Sequence, residues 1–202
     1  MKKGTLHLLQ CRCWQKNISK HQMTRETPEV DAIKNECLNL LIVYHTYRAT
    51  ISKISPKIGS RFDLHYSWVH LRVLENDIVM RLCRLDDDDK TNHSLREALR
   101  SVRHDIPQKE VKAIDKRLKK YRLLINPLKT KARNYFLAHM SKVAEEPHAP
   151  QRGLEKPIEE VVNIVDMIAS TPVNYTLSVG SQEPKLNLRV ELSNDKSPGE
   201  KY

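Results

Sequence analysis

Residues 30–51 read VDAIKNECLNLLIVYHTYRATI, and the spacing of their apolar side chains decides the fold. These side chains recur at intervals of three and four residues, which is the period of one face of an α-helix. The apolar positions are Val30, Ile33, Cys37, Leu40, Leu41, Tyr44, Tyr47 and Ile51. The pattern predicts a long helix with one buried face, and it places Cys37 in the core.

A second helix is predicted from about Arg61 to Leu85, after a break at Pro56 and Gly59. Two long helices joined by a short connection usually pack as an antiparallel pair. The side chains expected to face inward are Trp68, Leu71, Leu74, Ile78, Leu82 and Leu85.

Four consecutive carboxylates, Asp86 to Asp89, follow the second helix. They oppose the helix dipole at a C-terminus, so the pattern predicts that the helix ends there in an exposed loop. A metal site is the alternative, but adjacent residues point in different directions and a run of like charge is usually solvated.

Four further helices are predicted, and the third of them begins at Asn126-Pro127 and contains residues 133–139. Ser94 and Glu97 form a capping box that begins a short helix to about Val102. A helix follows from Gln108 to Arg122, with Val111, Ile114, Leu118 and Tyr121 on its buried face and basic residues on the other side. Asn126-Pro127 is typical of the end of one helix and the start of the next. The last helix is expected from Pro157 to Ser170, with Val161, Ile164, Val165 and Ile168 facing inward.

Alternating apolar residues near the C-terminus predict a β-hairpin. Tyr175, Leu177 and Val179 form one run, and Leu186, Leu188, Val190 and Leu192 form the other. Because an isolated hairpin is marginal in water, it must pack on the bundle or against another subunit. The predicted fold is therefore all-α, an antiparallel helical bundle with a small C-terminal β-hairpin.

Composition shifts divide the chain into four parts. Residues 1–27 form a basic N-terminal arm, expected to be flexible; the alternative is an extension ahead of a true start at Met23. Residues 28–170 form the helical domain, 171–193 the hairpin, and 194–202 a polar tail expected to be disordered.

The net charge is +10 and the pI is about 9.5, which favours a polyanionic partner such as nucleic acid; a membrane surface is the competing explanation. No segment is apolar enough to span a bilayer, and no secretion signal is evident. The four scattered cysteines fit reduced thiols in a cytoplasm. Cys11 and Cys13 could form half of a zinc site with His7 or His21, but no second close pair follows, so no metal is expected.

The segment Arg133-Asn134-Tyr135-Phe136-Leu137-Ala138-His139 pairs a permanent cation with a titratable base. A guanidinium can bind phosphate at two points, and an imidazole can move a proton near neutral pH. At about 100° per residue, His139 falls on an apolar stripe and Arg133 lies roughly 120° from it. His139 could therefore be a core residue, or the two side chains could complete a site only across a two-fold axis.

The segment resembles the signature of the HEPN superfamily of all-helical RNases, an Arg and a polar residue followed after several positions by a His. The second helix, ending in residues 75–86, and Ser94-Leu95-Arg96 look like the abortive-infection, AbiU-like branch. The resemblance implies a homodimeric endoribonuclease, a toxin or phage-defence effector that cuts RNA to 2′,3′-cyclic phosphate ends without a metal or other cofactor.

The resemblance also implies roles for individual residues. Arg133 and His139 would be catalytic, Asn134 would support them, and Asp77 or Glu75 would hold the Arg. The RNA backbone would be bound by Lys116, Lys119, Lys120, Arg122, Lys129 and Lys131. The alternative interpretation is that these residues are only a solvated helix face. Ser141 stands where toxins paired with a nucleotidyltransferase antitoxin carry a Tyr, which weakens the case for that antitoxin as the regulatory partner. The alternative functions are a non-catalytic RNA- or protein-binding module and a purely structural dimer.

Overall fold

Two long antiparallel helices form the base of the fold. The computed structural model describes residues 25–53, 60–89, 91–130, 153–177 and 186–193. Helix α1 spans Pro28–Lys53 and α2 spans Arg61–Leu85. Near the start of α1, Glu36 accepts hydrogen bonds from Arg81, near the end of α2, with Nη1 3.0 Å from both carboxylate oxygens. This contact fixes the two helices in opposite directions.

Capping interactions set both ends of α2. At its start, the Ser60 hydroxyl accepts from the Asp63 amide at 3.1 Å. At its end, the Asp86 amide bonds to the Cys83 carbonyl at 3.3 Å. The Leu82 carbonyl accepts instead from the hydroxyl of Tyr121, at 2.6 Å. A side chain of another helix therefore satisfies a carbonyl that the end of α2 leaves free.

Two of the next three helices pack against α1. Helix α3 spans Leu95–Val102, a 3₁₀ turn covers Arg103–Asp105, α4 spans Gln108–Leu128 and α5 spans Glu155–Ala169. The two are α3 and α5, whereas α4 packs mainly against α5. The Ser94 hydroxyl accepts from the Glu97 amide at 3.3 Å, which confirms the predicted cap of α3. Ser170 follows the last residue of α5, and its φ of 60° is the left-handed conformation common after a helix.

The apolar periodicity predicted most of the core correctly. Every inward position predicted for α4 and α5 is buried, and so are those of α1 up to Tyr47. Two expectations were wrong, because Ile51 and Trp68 are exposed. Ile51 lies at the end of α1 and Trp68 lies in the first half of α2. The hydrogen bond and ion pair that join α4 to α2 lie at the other end of α2, at Leu82 and at Asp86.

The predicted break at Asn126-Pro127 was also wrong, because α4 continues through both residues to Leu128. Pro127 lies in the last turn, where its missing amide removes a single bond from the ladder. Ile125 and Leu128 are buried and extend the apolar face of α4. Their packing outweighs the local preference for a break.

Within the described residues the C-terminal hairpin is shorter than the alternation predicted, and Val179 of the first predicted run lies outside them. Strand β1, Thr176–Leu177, pairs antiparallel with β2, Leu186–Asn187. Residues Leu188–Ser193 then form a short helix, α6, rather than more strand. Leu188 and Leu192 are buried and Val190 is exposed, a spacing of four that fits a helix as well as a strand.

Asp166 of α5 anchors this C-terminal unit. Its carboxylate accepts two hydrogen bonds from the Arg189 guanidinium of α6, each 2.7 Å long. It also accepts from the Val173 amide at 2.8 Å, and Arg189 lies over the ring of Tyr175. The hairpin therefore packs on the helical bundle of its own chain. Within the described ranges, no helix has the length and apolarity needed to cross a membrane.

Candidate nucleic-acid interface

The motif itself lies outside the described residues. Arg133, Asn134, His139 and the neighbouring Lys131 all belong to the undescribed range 131–152. The structure does describe α4, which leads into this range, and the other residues predicted to support the motif or bind RNA.

A buried carboxylate holds the end of α4. The side chain of Asp86 has no solvent exposure. Its Oδ2 lies 2.6 Å from Lys129 Nζ and 3.0 Å from Arg122 Nε, and Arg96 Nη2 lies 3.7 Å from Oδ1. The prediction of an exposed loop was wrong for this residue, because three cations from α3 and from α4 and its end surround the carboxylate. Such pairing is what a buried charge requires.

The other aspartates of the run lie nearer the surface. Asp88 is exposed, and its pKa is lowered by the hydrogen bond from Arg122 and by the charge of Arg96. Asp89 is exposed and accepts from the amide and hydroxyl of Thr91, which lowers its pKa. Among the described residues, no group of three or more His, Cys, Asp or Glu side chains could hold a metal ion. The aspartates therefore cap the turn and pair with arginines.

Helix α4 carries a basic stripe, which we define as Lys109, Lys112, Lys116, Lys119 and Lys120. At about 100° per residue, these five side chains lie within roughly 100° of one another, on the face opposite Ile114 and Leu118. All five are exposed, and both of those apolar residues are buried. The stripe therefore presents its charge to solvent, as an electrostatic contact with a phosphate backbone requires.

The predicted RNA-binding residues fall into two groups. Within the ranges that the structure describes, Lys116 and Lys119 form no ion pair. Lys120 Nζ, by contrast, lies 2.7 Å from Oε2 of Glu160, and Arg122 and Lys129 pair with Asp86. Lys116 and Lys119 are thus free to meet phosphate, whereas the other three already neutralise carboxylates.

The two acidic residues predicted to hold Arg133 lie on α2. Asp77 Oδ2 accepts from Arg81 Nε at 3.0 Å. Burial lowers the pKa of Arg81, but the bond to Asp77 and the charge of Glu36 outweigh it and the net shift is upward. Glu75 is half-buried, and its charge adds to burial in raising the pKa of Tyr47. That either carboxylate holds Arg133 stays a prediction.

Sequence inspection missed Glu160 as a charged group buried in α5. Its Oε1 accepts from Arg117 at 2.9 Å while Oε2 contacts Lys120. Glu160 lies at the edge of the apolar stripe that contains Val161 and Ile164, and a lone carboxylate at such an edge is a signal for a buried ion pair. This contact ties the basic stripe of α4 to α5.

Two antiparallel long helices, a short connecting helix and a basic helix that leads into an Arg/His segment define an all-α bundle of the HEPN class. Residues 27–177 match the family model HEPN_AbiU2, described as AbiU2. The chain belongs to this family, which confirms the resemblance inferred from the motif and from α2. No curated protein and no solved structure matches the chain.

Proposed function

We propose that this chain is a metal-independent endoribonuclease of the HEPN type, acting on cytoplasmic RNA as an abortive-infection toxin or phage-defence effector. The products would carry 2′,3′-cyclic phosphate ends. One observation carries the proposal: the family match over residues 27–177 includes the segment in which Arg133, Asn134 and His139 stand at the spacing of the HEPN signature.

The chemistry of these side chains suits transesterification of RNA. His139 would accept the proton of the ribose 2′-OH as its oxygen attacks phosphorus. The bond from phosphorus to the 5′-oxygen breaks, and the leaving oxygen takes up a proton. Arg133 would stabilise the negative charge that builds on the phosphoryl oxygens, and Asn134 would orient it or bind one of those oxygens.

Two copies of the chain would form the site. If the helix continues through the motif, Arg133 and His139 lie roughly 120° apart on one helix, so a single copy does not present both side chains together. A two-fold axis brings Arg133 of one copy towards His139 of the other. The proposed enzyme is therefore a homodimer with a shared cleft.

Residues at the end of α2 and along α4, which the structure describes, would guide RNA towards this cleft. The contact between Lys129 and Asp86 holds the chain at Lys129, four residues before Arg133 in the sequence. Lys116 and Lys119 would bind the RNA backbone ahead of the cleft. Regulation by an antitoxin or another protein is part of the proposal, although Ser141 argues against a nucleotidyltransferase partner.

The test is cleavage of RNA by the purified full chain in EDTA, beside the His139→Ala and Arg133→Ala variants. Matched controls are His104→Ala and Arg103→Ala, exposed residues of the same types in the 3₁₀ turn. We expect cyclic phosphate ends from the wild type and both controls, and a loss of at least about 100-fold from both motif variants. Cleavage at equal rates by folded motif variants would refute the proposal.

A non-catalytic RNA-binding module is the second candidate. The observation in its favour is the exposed basic stripe, with Lys116 and Lys119 unpaired within the described part of the chain. This candidate predicts salt-dependent RNA binding by the wild type with no cleavage in the same assay. Binding of a protein through the same face would instead leave RNA unbound.

A further inference from the structure

Glu160 of α5 binds two cations of the basic helix α4. Its Oε1 lies 2.9 Å from Nη1 of Arg117, and its Oε2 lies 2.7 Å from Nζ of Lys120. The two cations stand three residues apart, so they are neighbours on one side of α4, at the edge of the basic stripe nearest α5. The carboxylate therefore uses both of its oxygens on cations from a single turn of α4.

The carboxylate is buried, but the two cations are not. The side chain of Glu160 is 5% exposed, whereas those of Arg117 and Lys120 are 41% and 62% exposed. Both cations have long, flexible stems that keep contact with solvent. They can therefore turn outward to a phosphate if no carboxylate holds them.

Stability alone does not account for this arrangement. Burial of a charged pair costs desolvation, and apolar side chains of similar volume in its place often leave a protein equally stable or more so. Val161 and Ile164, which lie beside Glu160 in α5, are buried. An apolar residue at position 160 would extend their stripe. What the carboxylate changes is the number of positive charges that α4 offers to a ligand.

We infer that Glu160 limits the affinity for RNA, because it withholds Arg117 and Lys120 from the phosphate backbone. A phosphate has to compete with a carboxylate that is already in contact with each cation in a partly desolvated position. Within the described ranges, the other four lysines of the basic stripe form no ion pair and meet no such competitor. The inference rests on RNA binding by the basic stripe, which both candidate functions share, and it names the residue that restricts this binding.

The experiment measures how binding of a short single-stranded RNA depends on salt. All proteins carry His139→Ala, which prevents cleavage under the proposed mechanism. Glu160→Gln keeps the size of the side chain and removes its charge. Glu159→Gln is the matched control, because Glu159 is exposed on the same helix and the substitution removes the same charge. Circular dichroism and urea denaturation check that each protein is folded under the assay conditions.

The slope of log affinity against log salt should become steeper in Glu160→Gln. The expected change is about 0.7 for each cation that reaches a phosphate, and up to about 1.4 for both. Adding Arg117→Ala and Lys120→Ala to Glu160→Gln should return the slope to that of the His139→Ala background. Glu159→Gln should leave the slope unchanged, because it frees no cation of α4.

Two outcomes overturn the inference. One is a folded Glu160→Gln variant whose slope equals that of the background, and the other is an equal steepening by Glu159→Gln, which would be an effect of net charge. If Glu160→Gln does not fold, Arg117→Ala decides, since Lys120 still pairs with the carboxylate in that variant. An unchanged slope supports the inference, and a fall of about 0.7 overturns it, because Arg117 would already bind phosphate.

The binding measurement and the cleavage assay fail independently. A wild type that cuts no RNA, together with a steeper slope in Glu160→Gln, would refute the nuclease and keep the inference, because a non-catalytic module uses the same stripe. Cleavage by the wild type with equal slopes in Glu160→Gln and its background would refute the inference and keep the nuclease. Absence of RNA binding in both proteins would overturn the inference together with the RNA-binding role of the stripe.

Discussion

Lys129 Nζ lies 2.6 Å from Oδ2 of Asp86, a carboxylate with no solvent exposure. Asp86 follows the last residue of α2, and Lys129 follows the last residue of α4, so this contact ties two helix ends together. Arg122 adds a second bond to the same carboxylate. The chain therefore enters the range that holds the motif from a point fixed by a buried ion pair.

Replacing Asp86 by Asn should destabilise the fold. The amide keeps the shape of the carboxylate but leaves Lys129 without a counter-charge and Arg122 with that of Asp88 alone, and removing one partner of a buried pair is costly. Since both cations are partly exposed, we expect a loss of about 2 kcal/mol in the free energy of unfolding, measured by urea denaturation. The control is Asp105→Asn, an exposed residue of the 3₁₀ turn. Equal midpoints for the two variants would contradict the assigned role of Asp86.

Replacing Tyr121 by Phe should weaken the junction between α2 and α4. The Tyr121 hydroxyl is fully buried and donates to the Leu82 carbonyl at 2.6 Å, so its removal leaves that carbonyl without this donor. The expected loss is about 1–2 kcal/mol, again from urea denaturation. Tyr66→Phe is the control, because its hydroxyl belongs to an exposed side chain. A stability of Tyr121→Phe equal to that of the wild type would show that the hydrogen bond contributes nothing.

Helix period predicted the buried faces because each depends only on residues close in sequence. The stripe of α4 and that of α1 up to Tyr47 are buried as expected, and the Ser94 hydroxyl caps α3. The family followed from short motifs as well, and the match over residues 27–177 confirms it. Local signals were sufficient for these features.

The predictions that were wrong concern residues whose structure is determined by contacts with residues distant in the sequence. Asp86 looked like part of a solvated charge run, but cations 36 and 43 positions later enclose it. Leu188 and Leu192 fit both a strand and a helix, and packing against the bundle selects the helix. Pro127 marked a break that the burial of Leu128 overrides. No local pattern contains these contacts, so the sequence alone could not supply them.

The thiol of Cys37 should be inert in the native protein. Burial raises its pKa to about 12. At pH 8 its thiolate fraction is then about 1000-fold lower than in the unfolded chain, where the pKa is near its ordinary 9.0. Because only the unfolded thiol ionises just above pH 9, its contribution to stability is complete below pH 9 and falls as the pH rises further.

Alkylation followed by mass spectrometry of the peptide that contains Cys37 measures this difference. We expect labelling at least about 1000-fold slower in buffer than in concentrated urea at the same pH. A Cys37→Ala variant should lose stability less steeply than the wild type between pH 9 and 10. Rapid labelling of Cys37 under native conditions would contradict its burial.

Lys116 and Lys119 should contribute more to RNA binding than the lysine beside them. In a His139→Ala background, which prevents cleavage under the proposed mechanism, the double variant Lys116→Ala, Lys119→Ala should lower the salt dependence of binding to single-stranded RNA. Each lost phosphate contact removes about 0.7 from the slope of log affinity against log salt, so the slope should fall by about 1.4. Lys120→Ala should change it less, because Glu160 already holds that ammonium group at 2.7 Å. Arg61→Ala with Arg103→Ala removes the same charge from other exposed positions, and an equal fall in slope there would show that net charge, not the basic stripe, binds the RNA.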